Sequence, residues 1–89
     1  MLQKKVLIIN KLGLHARAAA KLIHLASRYA SEINLTKDSQ KVNGKSIMGV
    51  MMLAASKGTE IEVEVAGDDE IAALEAIESL IANRFGESE

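Results

Sequence analysis

Residues 59–65, Thr-Glu-Ile-Glu-Val-Glu-Val, constrain this chain most tightly. Ile61, Val63 and Val65 alternate with Glu60, Glu62 and Glu64. Successive side chains of a strand leave on opposite faces, so these residues demand a sheet with one dry face and one wet face. Such a pattern belongs to an antiparallel sheet covered on a single side, because parallel sheets are buried on both faces and read as continuous apolar runs. The remainder of the chain has to supply the neighbouring strands and the layer that covers the dry face.

It does so in a regular order. Residues 2–9 read as a strand that becomes apolar toward its end, and residues 10–14 as a loop. Residues 16–28 read as a helix, with Ala19, Leu22, Ile23 and Ala26 at core spacing. Residues 32–37 alternate again, with Ile33 and Leu35 on one face. Asp38 and Ser39 suit a tight turn, and residues 40–42 return as a short third strand. Residues 47–53 form a short helix with Ser46 as its N-cap. Gly67 breaks the strand of residues 59–65, and Asp68, Asp69 and Glu70 place negative charge where a helix dipole favours it. That last helix carries Ile71, Leu74, Ile77 and Ile81 as its apolar stripe. The order is strand, helix, strand, strand, helix, strand, helix. An α+β fold, with all three helices stacked on one face of a four-stranded antiparallel sheet, satisfies every apolar face. Residues 1–89 read as a single domain without repeat, linker or proline.

Composition removes several function classes. Eleven basic and twelve acidic residues give a net charge of −1, with no global pull toward nucleic acid or anionic membrane. One Tyr and one Phe leave no platform for stacking bases. The absence of cysteine excludes disulfides, thiolate nucleophiles and cysteine metal sites. No signal-peptide pattern is present, and no run approaches the ~18 apolar residues of a membrane span. The expected location is therefore the cytoplasm, with no membrane insertion.

Chemistry concentrates in residues 10–22, Asn-Lys-Leu-Gly-Leu-His-Ala-Arg-Ala-Ala-Ala-Lys-Leu. His15 falls at the start of the first helix, where backbone N–H groups lack intrahelical acceptors and form an anion site. The N–H groups of Ala16 and Arg17 can bind a phosphate there, and the Arg17 guanidinium can grip it as a fork. Neutral imidazole is a nucleophile able to form covalent intermediates, and a helix N-terminus favours the neutral form. His15 therefore fits a phosphohistidine site; the plainer reading is a polar residue capping a loop beside a solvated arginine. A shared metal site is excluded along this helix, because His24 lies nine residues on and about half a turn out of phase. Arg17, Lys21, His24 and Arg28 form a narrow basic stripe, read either as a solvated face or as a surface for an acidic partner. In the second helix Val50 and Leu53 are expected in the core. Ile47, Met48 and Met51 are the candidate docking surface, with Met48 and Met51 as the exposed pair. Gly44-Lys45-Ser46 is no P-loop, since Ser39 stands where that motif needs glycine. A pantetheine-bearing serine is excluded as well, because Asp38 and Ser39 lead into a strand.

Three blocks carry a resemblance: Gly-Leu-His-Ala-Arg at 13–17, Lys-Ser-Ile-Met-Gly-Val-Met-Met-Leu at 45–53, and residues 57–70. In this order and spacing the chain resembles the histidine-containing phosphocarrier (HPr) family of the bacterial sugar phosphotransferase system. The resemblance implies an open-faced β-sandwich and a carrier with no cofactor, which is not a free-standing enzyme. It implies that His15 accepts a phosphoryl group from Enzyme I and passes it to Enzyme IIA components, with Arg17 steadying the phosphate. It implies a regulatory phosphorylation site at Ser46, served in many bacteria by a dedicated kinase. The docking patch would comprise Ile47, Met48 and Met51 with Lys21 and His24, on a monomer. The family commonly has proline after the arginine, whereas this chain has Ala18. That departure keeps open a regulatory, nitrogen-type or Ser46-controlled paralogue acting mainly through docking. An α+β interaction module without phosphotransfer is the reading furthest from the resemblance.

Overall fold

The alternating strand lies inside the sheet. In the structure, a computed structural model describing all residues Met1–Glu89, the elements are β1 (Leu2–Leu7), α1 (Ala16–Ala26), β2 (Glu32–Lys37), β3 (Gln40–Asn43), α2 (Ile47–Met52), β4 (Glu60–Ala66) and α3 (Glu70–Ala82). A single 3-10 turn, Arg84–Gly86, follows α3. The strand order is β1-β4-β2-β3 and every pair is antiparallel. Val63 sits opposite Lys4 on one side and Leu35 on the other, and Val65 opposite Leu2 and Ile33. This register puts Ile61, Val63, Val65, Ile33 and Leu35 on the covered face, where all five are buried. The three helices cover that face, giving the four-stranded open-faced α+β fold. Lys4 Nζ meets Glu78 at 2.7 Å and ties edge strand β1 to α3.

Element ends move for identifiable reasons. β1 stops at Leu7 rather than Ile9, because its last partner is Glu60, the first residue of β4. Ile8 leaves the ladder buried, its N–H donating to Thr59 O at 2.9 Å. α1 stops at Ala26 rather than Arg28, where i→i+3 bonds from Arg28 and Tyr29 tighten the chain into a turn. β3 reaches Asn43, one residue beyond the expected strand. α2 ends at Met52, with Leu53 as its cap, and β4 is shifted by one residue to Glu60–Ala66.

The core also corrects the reading of two helices. Ile23 is only half-buried, and fully buried Ala18 joins Ala19, Leu22 and Ala26 on the inner line of α1. On α3 the inner line is Ala73, Leu74, Ile77 and Ile81, and Ile71 is 65% exposed. At about 100° per residue, Ile71 lies roughly 100° round the helix from the middle of that line. Glu64 lies on the face away from the helices, as the alternation requires, but is buried there rather than wet, covered on the central strand by Lys41 Nζ at 3.3 Å and Gln3 Nε2 at 3.3 Å. Phe85, outside every expected element, is fully buried. No helix is long and apolar enough to cross a membrane.

One carboxylate joins the two ends of the helical layer. Asp69 accepts from Ala30 N–H at 2.8 Å, from Ser31 N–H at 3.0 Å and from the Ser31 hydroxyl. The turn before β2 is thereby stapled to the start of α3. Gly67 allows that approach, since a Cβ there would lie 2.7 Å from Ser31 Cα. The Ser31 hydroxyl, then the Ala30 N–H, hold the Asp69 carboxyl below its ordinary value of 3.8, against the opposing effect of desolvation. A carboxyl depressed in the folded state adds stability that is full above its unfolded pKa and is lost as pH falls through the folded one. Asp69→Asn should therefore lower the urea midpoint at pH 7, with the gap to wild type narrowing as pH drops below 3.8. A gap that stays constant from pH 7 to pH 2 would contradict this role.

Candidate functional site

The approach to α1 is built by backbone contacts. Leu14 N–H donates to Ala55 O at 2.8 Å, and Gly13 N–H to Asn10 O at 3.1 Å. Gly13 adopts φ +65°, and a Cβ on it would meet Ala55 O at 2.5 Å and Ser56 Cα at 2.7 Å. Only glycine fits both the left-handed backbone and the close approach. Leu14 is then buried and His15 emerges at the N-cap with extended backbone, φ −71° and ψ 176°.

His15 caps the helix with its backbone only. Its C=O accepts the first intrahelical bond, from Ala19 N–H at 2.8 Å, and its imidazole makes no capping bond. The N–H groups of Ala16, Arg17 and Ala18 consequently have no intrahelical acceptor. Ala16 and Arg17 are exposed, whereas Ala18 is buried. Arg17 forms no ion pair within 4 Å and carries a free guanidinium beside the imidazole's helix turn. Three exposed basic side chains, Arg17, Lys21 and His24, follow one another along α1, and Arg28 continues the row beyond its end. Lys21 is also engaged, its Nζ donating to Phe85 O at 2.6 Å.

The C-terminal tail closes the site from the other side. His15 Nε2 is hydrogen-bonded to Glu87 Oε2, and Glu87 Oε1 accepts from Asn10 Nδ2 at 2.9 Å. The Asn10 amide, more than the hydrogen bond from His15 or the nearby Arg17 guanidinium, holds the Glu87 carboxyl below its ordinary 4.5, against the desolvation that opposes it. Asn10, Phe85 and Glu87 escaped the sequence reading. The lone phenylalanine followed by glycine just beyond an amphipathic helix was the one signal available for them. An open depression between α1 and the tail is lined by Lys11, Leu12, Arg17, Lys21 and residues 86–89.

A second set of candidate residues lies on α2, which packs against α1. Ser46 is the N-cap, its Oγ accepting from Gly49 N–H at 3.2 Å. Val50 and Leu53 are buried. Met48 and Met51 are exposed, and so are Ile47 and Met52, because six residues offer one line to the core and leave the rest outside. No cluster of three His, Asp or Glu side chains is arranged to hold a metal ion.

Comparison with known proteins places this geometry among relatives. The family model described as "PTS HPr component phosphorylation site" matches residues 2–83. The chain is 56% identical to the phosphocarrier protein HPr of Neisseria meningitidis and 54% identical to that of Cupriavidus necator, each over 89 residues covering 100% of both chains. Its structure superposes on HPr-C-His from Thermoanaerobacter tengcongensis with a TM-score of 0.97 at 45% identity, covering 100% of both chains.

The close approach at Gly13 sets a test of how the site is built. Gly13→Ala should destabilise the fold by about 1–3 kcal/mol, the range for a non-glycine residue forced into a left-handed backbone, with the 2.5 Å collision against Ala55 O adding to it. Urea unfolding of the variant beside wild type measures this. An unchanged midpoint would mean that the loop before His15 adapts freely.

Proposed function

Because the chain belongs to the HPr phosphocarrier family of the phosphotransferase system, we propose that it works as a single-domain carrier whose His15 takes a phosphoryl group from Enzyme I and delivers it to Enzyme IIA components. The observation that carries this reading is the cap of α1: an imidazole free of capping duty beside unclaimed N–H groups and an unpaired guanidinium. The neutral ring supplies the lone pair. The phosphoryl group, once on the ring, carries about 1.5–2 negative charges if it titrates like other phosphorylated side chains. The N–H groups of Ala16 and Arg17, the helix dipole and the Arg17 side chain all oppose that charge. The chain needs no cofactor for this, since the phosphorylated donor provides the group and the acceptor removes it. Ile47, Met48 and Met51 form the apolar part of the docking surface, and Lys21 and His24 its basic part.

Ser46 is proposed as a regulatory phosphorylation site on that surface. A second reading, a regulatory paralogue acting mainly through docking, draws on the exposed Ile47–Met52 helix and Ser46 at its start. It makes His15 dispensable, which separates it from the first.

Incubation with Enzyme I and labelled phosphoenolpyruvate decides between them. Wild type and His24→Ala should take up acid-labile label, and His15→Ala should take up none. Label of undiminished amount on His15→Ala would overturn the assignment. Arg17→Ala should slow acceptance by about ten- to a hundredfold, the worth of a charge-assisted hydrogen bond of ~1.5–3 kcal/mol, while its melting temperature stays near wild type. An unchanged rate would remove Arg17 from the reaction.

Ser46→Asp tests the regulatory site. Aspartate is also a good N-cap, and negative charge at a helix start contributes ~0.3–1 kcal/mol, so the variant should melt at or above wild type. The same charge, buried against a partner that matches an apolar and basic surface, should weaken association with Enzyme I on the order of tenfold. Equal affinity in a titration would contradict that placement of the docking surface.

A further inference from the structure

We propose that the thioethers of Met48 and Met51 are a reversible oxidation site, each taking one oxygen atom from a hydroperoxide, and that the resulting sulfoxides release Enzyme I from α2. The inference rests on reading α2 as part of the docking surface, and adds to it a modification and the chemical class of its reagent.

Methionine is missing from the interior of this molecule. None of the 19 residues in the buried cluster is a methionine, although the flexible thioether commonly fills gaps in cores. Of the four in the chain, one is Met1 and the other three fall within residues 48–52. Met48 is 74% exposed, Met52 64% and Met51 44%. They stand outside because α2 turns Val50 inward, with Leu53 at its end. Residues four apart are neighbours on a helix surface. Met48 therefore adjoins Met52, and Ile47 adjoins Met51, in two apolar lines that face outward.

The rest of the composition directs a peroxide to those sulfurs. The chain has no cysteine and no tryptophan, so no thiolate within it competes for the oxidant. The side chains most open to two-electron oxidation coincide with the apolar part of the docking surface.

The step balances. A sulfur lone pair attacks one oxygen of the hydroperoxide, and the S–O bond forms as the O–O bond breaks. The O–O electron pair leaves with the other oxygen, which collects the proton of the transferred oxygen and departs as water or an alcohol. Sulfur is oxidised by two electrons and the hydroperoxide is reduced by two. A thiol-dependent methionine sulfoxide reductase reverses the change: two thiols become a disulfide and the oxygen leaves as water.

The sulfoxide is polar, accepts hydrogen bonds and donates none. Pressed against an apolar partner surface, its oxygen loses water and gains no donor, which opposes association. In the free chain the same oxygens stay in water, and buried Val50 and Leu53 are untouched. Docking should fail while the fold persists.

The test treats the full chain alone with hydrogen peroxide and removes the excess with catalase before Enzyme I is added. Mass spectrometry of the tryptic peptide of residues 46–57 should find sulfoxide on Met48 before Met51. Affinity for Enzyme I should fall about ten- to a hundredfold, the worth of a buried unsatisfied polar group, with the unfolding midpoint near that of the untreated chain. Methionine sulfoxide reductases of both epimer specificities, with dithiothreitol, should restore it. In a Met48→Leu, Met51→Leu double variant the ratio of treated to untreated affinity should stay near one, whatever its starting affinity. Full affinity with both sulfurs oxidised, sulfurs that resist peroxide, the same loss in the double variant, or a midpoint that falls together with the affinity would each overturn the proposal. An untreated chain that does not bind Enzyme I at all places the failure in the docking reading itself.

Discussion

The hydrogen bond from Leu14 N–H to Ala55 O decides where the first helix begins. Ala55 stands in the connection from α2 to β4, so this one contact locks the start of α1 to the segment joining the other two parts of the fold. It requires glycine at position 13, because any Cβ there would strike the same carbonyl. It buries Leu14, which stops the loop from sliding. His15 is then left with extended backbone and an imidazole that has no structural duty in the cap. A serine or aspartate at this place would fold its side chain onto the N–H groups of the first turn. Histidine does not, and the donors stay available.

The charges around that cap oppose one another in pairs. Arg17, Lys11 and Lys21 bring positive charge to the α1 side of the depression, and Glu87 and Glu89 bring negative charge from the tail. Lys11 Nζ meets Glu89 at 3.2 Å and Lys21 is spent on a carbonyl, which leaves Arg17 as the cation without a partner. A guanidinium that has no ion pair to break can turn toward an incoming anion at little cost. The packing beneath is continuous: 19 apolar residues form one buried cluster, and Phe85 extends it under the tail.

The parts of this fold that repeat with a period were readable from the sequence. Alternation in residues 59–65 placed β4, and Ser46 followed by an apolar run placed α2 and its cap. Errors came where period alone leaves an angular margin. Ile71 and Ile23 lie near the rims of their helices' apolar stripes, and small alanines at 73 and 18 went inside instead, where helices approach closely. Glu64 obeys the alternation and is still buried, because a central strand is covered by the long side chains of its neighbours. His15 and Arg17 were legible as a candidate site because their helix start is local. Asn10 and Glu87 were not, since the contact from His15 to Glu87 spans 72 residues and depends on a left-handed turn that no periodicity encodes.

The central claim is that phosphoryl groups pass through His15, and peptide mapping of the phosphorylated wild-type chain tests it most directly. Trypsin cuts after Lys11 and Arg17, after Lys21 and Arg28, and after Lys45 and Lys57, so His15, His24 and Ser46 fall on separate peptides. After incubation with Enzyme I and phosphoenolpyruvate, digestion at alkaline pH should place one phosphoryl group on the peptide of residues 12–17, and brief acid should remove it. Modification found on residues 22–28, or acid-stable modification on residues 46–57 with residues 12–17 unmodified, would contradict the account.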